Sequence, residues 1–515
     1  MSKVTQLEKR LQNLEAHLKS ENPILLETVK SFRKLDKVSK DLGFLDSGES
    51  YATHIPWWPL IAVLGLYSSG KSTFINHYLN YDLQRTGNQA VDDKFTVACY
   101  SNDNTVRVLP GLALDADPRF SFYQISHAIE EISSGEGSRI DAYLQLKTCP
   151  SERVRGKILI DSPGFDADDQ RTSTLRITNH IIDLSDLVLV FFDARHPEPG
   201  TMHDTLKHLV SDTINRPDSN KFLYILNQID NTAHEDNPEE VVASWQRALA
   251  QKGLTAGRFY RIYNPDVAMP IENPTLRERF ESKRDADMAE IHARIHQVEI
   301  ERSYRVVALL DQISHKIEDK IVPKLQSLIV RWRKRVLWMD GIFFGAIIVA
   351  VLAGTLWTGD WSVPGFSHPF WNKLFKSSFL SWAALGAVIA LAGYAHFNIR
   401  KRAANCIIAG LKKEKGDMKD MEFLGNLTRS FWKNTLFWRT IFCQRPAGWN
   451  ERSRRLIKEV FAETNGYVQE LNNRFADPSG ANNDANKDVA NVNAADEREA
   501  NVQETNPQKD YAQES

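Results

Sequence analysis

Residues 65–72 read Gly65-Leu66-Tyr67-Ser68-Ser69-Gly70-Lys71-Ser72 and match the pattern G-x-x-x-x-G-K-[ST]. In this pattern the glycines let backbone N–H groups curl around phosphates, the lysine reaches the β- and γ-phosphates, and the serine hydroxyl holds Mg²⁺. An apolar run, residues 60–64, precedes the octapeptide, and a helix-forming segment, residues 72–79, follows it. Because a phosphate-binding loop connects a strand to a helix, the sequence predicts a nucleotide-binding α/β domain around it.

The composition of the whole chain indicates several structural units and argues against a nucleic-acid partner. At 515 residues the chain exceeds one ordinary core, so about two or three units are expected. Lys and Arg total 64 against 66 Asp and Glu, so there is no global basic field. The cysteines lack metal-ligand spacing and are typical of core thiols in a reducing compartment: Cys99, Cys149, Cys406 and Cys443.

Residues 1–50 are predicted to form helices that join a larger helical bundle. Five apolar residues alternate three and four positions apart and form one seam along a helix: Val4, Leu7, Leu11, Leu14 and Leu18. Pro23 interrupts this pattern, and a second amphipathic stretch covers residues 24–42. Because the seam is shorter than three heptads, it favours one helix of an intramolecular bundle over an independent coiled coil.

Residues 51–275 are predicted to be the nucleotide-binding domain. From Trp57 to about Asp266, apolar strand-like runs alternate with helical ones, which is typical of an α/β sheet domain. Several runs are continuously apolar, as expected for parallel strands covered on both faces. The predicted strands are residues 60–64, 142–146, 157–160, 187–192 and 221–226.

A second motif follows the predicted strand 157–160. It reads Asp161-Ser162-Pro163-Gly164. An aspartate at the end of that strand can hold Mg²⁺ through water, and the glycine N–H can contact a γ-phosphate. The same tetrapeptide is also a common turn, but its distance after a phosphate loop favours the functional interpretation.

A third motif follows the predicted strand 221–226. It reads Asn227-Gln228-Ile229-Asp230 and matches the guanine-reading pattern N-K-x-D except for its lysine. Asp230 would accept hydrogen bonds from guanine N1 and N2, and Asn227 would brace the loop. Because Gln228 stands in place of the lysine, the usual stacking of the lysine side chain on the base is lost. Three motifs in this order on strand ends predict a GTPase-type site, because nucleotides bind at the carboxyl ends of such strands.

The predicted reaction is attack of water on the γ-phosphate, with catalysis by positioning and charge stabilisation. GTP is the expected substrate, ATP stays open, and Mg²⁺ is the expected cofactor, held by Ser72 and Asp161. Lys71 is a predicted catalytic residue. The predicted nucleotide-binding residues are Gly65, Ser68, Ser69, Gly70, Lys71, Ser72, Thr73, Asp161, Gly164, Asn227 and Asp230.

Residues 336–398 are predicted to be a transmembrane hairpin. Residues 338–357 are apolar apart from Asp340, and residues 379–397 contain no Asp, Glu, Lys or Arg. Each run is long enough to cross a hydrocarbon core of about 30 Å. Tryptophans near the run ends are typical of an interfacial belt: Trp338, Trp357 and Trp382. Buried core helices and a shallow interfacial hairpin are the alternatives.

The charges around the two apolar runs predict their orientation. Basic residues flank the outer ends of both runs: Arg331, Arg333, Lys334, Arg335, Arg400, Lys401 and Arg402. The connection between the runs contains only two Lys or Arg residues, Lys373 and Lys376. By the positive-inside rule, the sequence predicts an integral membrane protein with two spans, whose termini and nucleotide-binding domain are cytoplasmic.

The remaining segments complete the predicted organisation. Residues 276–335 are expected to be stalk helices, since apolar residues recur there at helical spacing, with a kink at Pro323. Residues 399–475 are expected to be C-terminal stalk helices. Residues 476–515 carry almost no large apolar side chains and are expected to be a disordered tail. The predicted fold class is therefore an α/β P-loop GTPase domain plus an all-α helical bundle that carries the hairpin.

Residues 50–270 resemble the dynamin superfamily, particularly its EHD branch. The resemblance rests on residues 65–75, Asp92-Asp93-Lys94-Phe95, Pro110-Gly111-Leu112-Ala113-Leu114 and Phe192-Asp193-Ala194. The helical bundle with a membrane hairpin looks more like mitofusins and bacterial dynamin-like proteins. The resemblance implies GTP-driven dimerisation of G domains coupled to membrane remodelling, fusion or tethering. EHD proteins prefer ATP despite an N-K-x-D motif, so the base preference stays open.

Particular positions agree with these families or depart from them. Ser68 corresponds to a catalytic serine of the family. Leu66 stands where EHD and dynamin proteins carry Gln. Their Mg²⁺-coordinating switch-I threonine falls near Val91 or Asp92 here, and Thr96 is the nearest substitute as a metal ligand. These departures leave the rate of hydrolysis open.

Three functions are compatible with the sequence. The first is a membrane-anchored dynamin-like GTPase that forms homo-oligomers through its G domains and stalk. The second is an EHD-like ATPase scaffold on membranes, which comparing guanine and adenine nucleotide affinities would distinguish. The third is a nucleotide-binding tether with little hydrolysis. All three have a lipid bilayer as partner.

Overall fold

The computed structural model describes two compact units. The described residues are 3–65, 67–86, 94–103, 105–117, 120, 122, 125–132, 135–164, 171–195, 218–234, 238–251, 258–357, 361–362, 365–366, 378–413 and 426–475. One unit, the sheet unit, consists of residues 53–307 with 14–25 and 468–475. The other, the helical unit, consists of residues 3–13, 26–52 and 308–467. The tail predicted to be disordered lies outside the described residues.

Eight strands form one sheet in the sheet unit. They are β1 Leu60–Gly65, β2 Phe95–Tyr100, β3 Arg107–Pro110, β4 Leu144–Cys149, β5 Ile158–Asp161, β6 Leu187–Asp193, β7 Phe222–Asn227 and β8 Arg258–Arg261. Their order across the sheet is β3-β4-β2-β5-β1-β6-β7-β8. The run from β5 to β8 is parallel, whereas β2 pairs with β5, and β3 with β4, in antiparallel fashion. The predicted α/β class is confirmed, with a mixed sheet.

The central strands are continuously apolar because the sheet has a hydrophobic core on each face. Every residue of β1, β6 and β7 is buried. Successive side chains of a strand point to opposite faces, so Leu60 and Ala62 lie in one core while Ile61 and Val63 lie in the other. Burial on both faces holds the strands in position, and the three motifs lie at the carboxyl ends of β1, β5 and β7.

Helices occupy much of the rest of the described chain. In chain order they are α1 Lys3–Glu21, α2 Pro23–Leu42, α3 Lys71–Leu79, α4 Leu112–Asp115, α5 Ile125–Ile132, α6 Ile140–Tyr143, α7 Arg171–Leu184, α8 Pro238–Gln251, α9 Pro274–His315, α10 Val322–Trp357, α11 Ser378–Lys413, α12 Leu427–Asn434 and α13 Glu451–Phe475. Pro23 begins α2, which agrees with the predicted break and with the preference of proline for the first helical turn.

Helix α9 is attached to the amino-terminal edge of the sheet. Asp186, which precedes β6 and is buried, accepts a hydrogen bond from the Leu60 N–H at 2.9 Å. The same carboxylate forms ion pairs with Arg302 at 3.1 Å and Arg305 at 2.7 Å. Burial lowers the pKa of Arg302, and the charge of Asp186 opposes that shift. A buried ion pair therefore joins α9 to two strands.

Helical hydrogen bonding continues from α9 into α10 through a π-helical segment, Lys316–Ile321. Sequence analysis places a kink at Pro323, and the structure shows the irregularity in the turn just before it. Proline lacks an N–H and clashes with the carbonyl one turn earlier, so the backbone there departs from α-helical bonding.

Among the described residues, two helices are long and apolar enough to cross a membrane. Their apolar runs lie in the helical unit. Along α10 and α11, the side chains of the apolar runs are mostly exposed. His396 Nδ1 of α11 and Asp340 Oδ2 of α10 lie 2.8 Å apart and form a polar contact between the two helices. This pair aligns the two helices near one end of their apolar runs.

The five predicted strands are present, with shifted bounds. Residues 142–146 are the largest shift, because Ile140–Tyr143 forms α6 and the strand begins at Leu144. Three strands of the eight-stranded sheet were not predicted: β2, β3 and β8. A separate pair of two-residue strands, Trp361–Ser362 and Gly365–Phe366, was not predicted either. All residues of β3 are exposed, and β8 has four residues, so neither carries a continuous apolar run.

Candidate nucleotide site

The loop between β1 and α3 has the backbone geometry of a phosphate-binding turn. Gly70 has φ +82°, and a Cβ there would lie 2.2 Å from Asn227 Nδ2, so the position requires glycine. Ser68 also has a positive φ, 57°. Non-glycine residues rarely adopt this conformation, and such strain concentrates at functional sites.

Several side chains donate hydrogen bonds to carbonyl oxygens of this loop. Asn227 Nδ2 donates to Ser69 O at 2.9 Å. Gln228 Nε2 donates to Ser68 O at 2.7 Å, and the φ of Gln228 is +64°. Lys71 Nζ donates to Gly65 O at 3.0 Å. The third motif therefore braces the first, as the sequence predicted for Asn227, and Gln228 contributes a second brace that the sequence did not predict.

Lys71 is a buried cation at the start of α3. Burial lowers its pKa below the ordinary value of a lysine, and the charge of Asp161 opposes that shift. The partial positive charge at a helix N-terminus and a buried ammonium both favour an anionic ligand at this place. The electrostatics of the loop thus suit a polyphosphate.

The hydroxyl of Ser72 contacts the carboxylate at the end of β5. Ser72 Oγ donates to Asp161 Oδ2 at 3.1 Å, and Gln84 Nε2 donates to the same oxygen at 3.0 Å. Lys147 Nζ in turn donates to Gln84 Oε1 at 2.6 Å, and Lys147, Gln84 and Asp161 are all buried. A buried chain of polar groups therefore orients the carboxylate.

The oxygen donors of Ser72 and Asp161 fit a magnesium ion. Mg²⁺ prefers hard oxygen ligands and is held by one or two protein groups together with water and substrate phosphates. Within the described residues no cluster of three or more His, Cys, Asp or Glu side chains could hold a metal. Two oxygen donors of this kind would leave the other positions around a Mg²⁺ ion to water and phosphate oxygens.

An arginine that the sequence analysis did not single out also reaches the loop. Arg195 follows β6 and forms a bidentate ion pair with Asp193, in which Nη2 lies 2.7 Å from Oδ2. Its Nη2 also donates to Ser68 O at 3.2 Å. The hydrogen bonds with Asp193 raise the pKa of Arg195. A permanent positive charge is therefore fixed beside the phosphate loop.

Asp230 lies beyond the phosphate loop at the end of the third motif. It is buried, and its Oδ2 accepts a hydrogen bond from the Met269 N–H at 2.9 Å. Its neighbour Thr232 closes the turn by donating to Ile229 O at 2.6 Å. The carboxylate is held in a defined orientation, as recognition of a base edge requires.

A cavity of about 350 Å³ brings the motifs together. Nine of the predicted site residues line it: Ser68, Gly70, Lys71, Ser72, Thr73, Asp161, Gly164, Asn227 and Asp230. Gly65 and Ser69 belong to the loop but are not among the residues that line the cavity. Ser69 is buried, and a Cβ on Gly65 would meet Phe191 O at 2.6 Å. Arg85, Arg195 and Gln228 also line the cavity. Its size is within the range of small-molecule sites.

Thr96 is not among the residues that line this cavity. It lies inside β2, where it is opposite Asp161 in the antiparallel pairing with β5. Its side chain is buried and accepts a hydrogen bond from Gln145 Nε2 at 2.7 Å. Leu66, Val91 and Asp92 lie outside the described residues.

A family model and several curated proteins match parts of this chain. Residues 61–229 match the family model described as the Dynamin family. EH domain-containing protein 1 of Arabidopsis thaliana is 24% identical over 249 residues, which cover 45% of this chain and 42% of that protein. EH domain-containing protein 1 of Homo sapiens is 26% identical over 182 residues, which cover 33% of this chain and 31% of that protein. The chain thus spans less than half the length of these curated relatives.

One solved structure covers nearly the whole chain. It is described as an oligomerised bacterial dynamin pair that provides a mechanism for long range sensing and tethering of membranes. It covers 98% of this chain and 80% of that chain, at 13% identity and a TM-score of 0.31. A TM-score this low does not establish a common arrangement of the two chains.

Proposed function

Because the chain is a member of the dynamin superfamily with an EHD-like G domain, we propose that it is a membrane-anchored GTPase. In this proposal the G domain hydrolyses GTP, and nucleotide strengthens a dimer of G domains that hydrolysis weakens. The apolar runs of α10 and α11 anchor the protein in a bilayer. The cycle of assembly and release drives remodelling, fusion or tethering of membranes.

The observation that carries the proposal is the convergence of three motifs on one cavity. Lys71 comes after β1, Asp161 ends β5 and Asp230 comes after β7. All three line the same cavity of about 350 Å³ at the carboxyl ends of those strands. Chance matches in surface turns would have no reason to meet. Ligands of open α/β sheets bind at this edge.

Each group has a role in the proposed reaction. Lys71 and the backbone N–H groups of the loop bind the β- and γ-phosphates. Ser72 and Asp161 would hold a magnesium ion, whose chemistry there is to neutralise phosphate charge. The Gly164 N–H would contact the γ-phosphate, and Ser68 would help to position the phosphates for attack by water. The barrier is lowered by positioning and charge stabilisation.

The membrane anchor is supported by exposure and by the polar pair between the helices. Apolar side chains such as Ile342, Val349 and Leu391 are more than half exposed, which water disfavours over such an area. Asp340 and His396 pair with each other, as polar groups at the edge of a bilayer core do. With basic residues at the outer ends, both termini and the G domain are proposed to be cytoplasmic.

The test is nucleotide turnover by the purified full-length protein, in detergent and after reconstitution into liposomes. GTP turnover that rises on liposomes is the expected result, since assembly on a membrane brings G domains together. If neither GTP nor ATP is hydrolysed in either setting, the GTPase proposal is wrong and a nucleotide-binding tether takes its place.

A second candidate, an EHD-like ATPase scaffold, is favoured by one observation. Gln228 stands at the position of the lysine that stacks on guanine, and its side chain is bound to Ser68 O. Base selectivity would then depend mainly on Asp230, and a preference for guanine would be weaker. Measuring GTP and ATP affinities on the same preparation distinguishes the two candidates.

Replacing Asp230 by asparagine is expected to weaken GTP binding by about 10–100-fold, which corresponds to the loss of a hydrogen bond with a charged group. Guanine N1–H and the N2 amino group need an acceptor, whereas xanthine presents a carbonyl that an amide can bind. Affinity for XTP should therefore increase, as titration calorimetry would show. The matched control is Asp266→Asn, an exposed carboxylate outside the lining. Unchanged GTP affinity in Asp230→Asn would show that Asp230 does not read the base.

A further inference from the structure

The segment between α12 and α13 presents aromatic side chains to the surface. We call residues 435–443 the aromatic loop. Phe437, Trp438 and Phe442 are each about two-thirds exposed, at 68%, 68% and 67%. Large aromatic side chains grouped at this exposure are unusual on a protein surface and indicate a contact with an apolar partner.

Arg400 fixes the aromatic loop to the apolar helices within the helical unit. Arg400 follows the apolar run of α11 and is buried, and its Nη2 donates to Leu436 O at 3.0 Å and to Arg439 O at 2.7 Å. Its guanidinium also lies 5.2 Å from the ring centre of Trp332 on α10, whose Nε1 donates to Arg400 O at 3.1 Å. These contacts fix the height of the aromatic loop, that is, its position along the axes of α10 and α11.

That height is close to the end of both apolar runs. Arg400 is three residues beyond Phe397, or about 5 Å along the axis, and Trp332 is six residues before Trp338, or about 9 Å. Arg333, next to Trp332, has its guanidinium 5.6 Å from the ring centre of Phe442. If the runs span a bilayer, the loop lies at the boundary between acyl chains and head groups.

The charge of the surrounding segment suits an anionic lipid surface. Residues 426–450 contain no Asp or Glu and four basic residues: Arg429, Lys433, Arg439 and Arg445. Aromatic side chains favour the interfacial region of a bilayer, and basic residues near its cytoplasmic surface are attracted by anionic head groups. Both preferences meet in one short segment.

We propose that the aromatic loop is a second membrane-contact element, which inserts its aromatic side chains into the head-group region of an anionic leaflet beside the hairpin. The proposal rests on the membrane anchoring given above. With the hairpin it makes a contact of two separate chain segments, so the helical unit is held against the membrane surface and cannot tilt freely about the two spans.

A native cysteine in the loop allows a direct test. Cys443 is exposed, and replacing Cys406 by serine leaves it as the accessible thiol, since Cys99 and Cys149 are buried. The full chain carrying a nitroxide on Cys443 is reconstituted into phosphatidylcholine vesicles with and without phosphatidylserine. Depth is measured from collisions with oxygen and with a water-soluble nickel chelate.

We expect the label on Cys443 to lie about 5–10 Å inside the head-group boundary, and deeper when phosphatidylserine is present. Phe437→Ser with Trp438→Ser should return it to water. Leu112→Ser, which removes an exposed apolar side chain of the sheet unit, should not.

Labels at two other positions separate the failure of this proposal from the failure of anchoring. Ala350→Cys reports on the middle of the apolar run of α10, and Lys320→Cys on an exposed position well before it. A Cys443 label as water-accessible as Lys320→Cys, with Ala350→Cys deep in lipid, overturns the loop proposal alone. Water access at both Cys443 and Ala350→Cys overturns the anchoring. Exclusion from both reagents with dipolar broadening between copies indicates self-association and also overturns the loop proposal.

Discussion

Lys71→Ala is expected to lower the rate constant for GTP turnover by about 10²–10³-fold, the usual loss when one positioned charge-stabilising donor is removed. Lys71 is the buried cation of the phosphate loop, and burial lowers its pKa. A polyphosphate offsets that cost of burial, and negative charge that grows at the γ-phosphate is stabilised more than the ground state. The loss should therefore appear in kcat as well as in nucleotide affinity.

The measurement is steady-state phosphate release by the full-length protein on liposomes, with nucleotide affinity determined in parallel. Arg247→Ala is the matched control, because it removes a cation of the same sheet unit whose pair with Glu240 is exposed on both sides. The control should stay within about twofold of the unsubstituted protein, since such surface pairs contribute little. Turnover by Lys71→Ala at the unsubstituted rate would contradict the assignment of the catalytic site.

Asp186→Ala is expected to reduce the stability of the sheet unit by about 3–5 kcal/mol, the cost of leaving a buried charge without its partner. The substitution leaves Arg302 buried, since its side chain is only 11% exposed, and it removes the acceptor of the Leu60 N–H. Arg305 is 46% exposed and adds little, because water solvates it. The first residue of β1 and helix α9 should both lose protection.

Hydrogen exchange followed by mass spectrometry can measure this loss in the full chain. Amides of β1, β6 and α9 should exchange about 10²–10⁴-fold faster, because the opening free energy falls by about 3–5 kcal/mol. Arg302→Met added to Asp186→Ala should recover a large part of the loss, because the unpaired charge is then gone. Glu240→Ala, which breaks an exposed pair, is the control and should change exchange little. Unchanged exchange in Asp186→Ala would show that the ion pair does not hold α9.

Local signals predicted the phosphate loop, the two further motifs and the five strands with apolar runs. Each of these is encoded by neighbouring residues, since a glycine-bearing turn, a continuous apolar run and a strand-end carboxylate are visible within a few positions. The predicted break at Pro23 follows from the same kind of local chemistry, and α2 begins there.

Long-range contacts account for what the sequence did not predict. Lys147 donates to Gln84, which is 63 positions away, and Gln84 donates to Asp161. These contacts depend on the pairing of β2, β4 and β5. Arg195 carries no motif of its own, and it reaches the phosphate loop through its hydrogen bond to Ser68 O, which is 127 positions away. His396 is a single histidine in an apolar run, and only the packing of α10 and α11 brings it to Asp340.

The braces on the phosphate loop also bear on how quickly nucleotide is exchanged. The carbonyl oxygens of Gly65, Ser68 and Ser69 accept hydrogen bonds from protein side chains. These oxygens therefore do not point at a phosphate group that binds and do not repel it. A loop already held in one conformation gives up little conformational entropy when it is occupied, and association need not wait for it to reorganise. Differences in affinity among nucleotides should then appear in their residence times. Nucleotide dissociation is therefore expected to limit the rate of the nucleotide cycle.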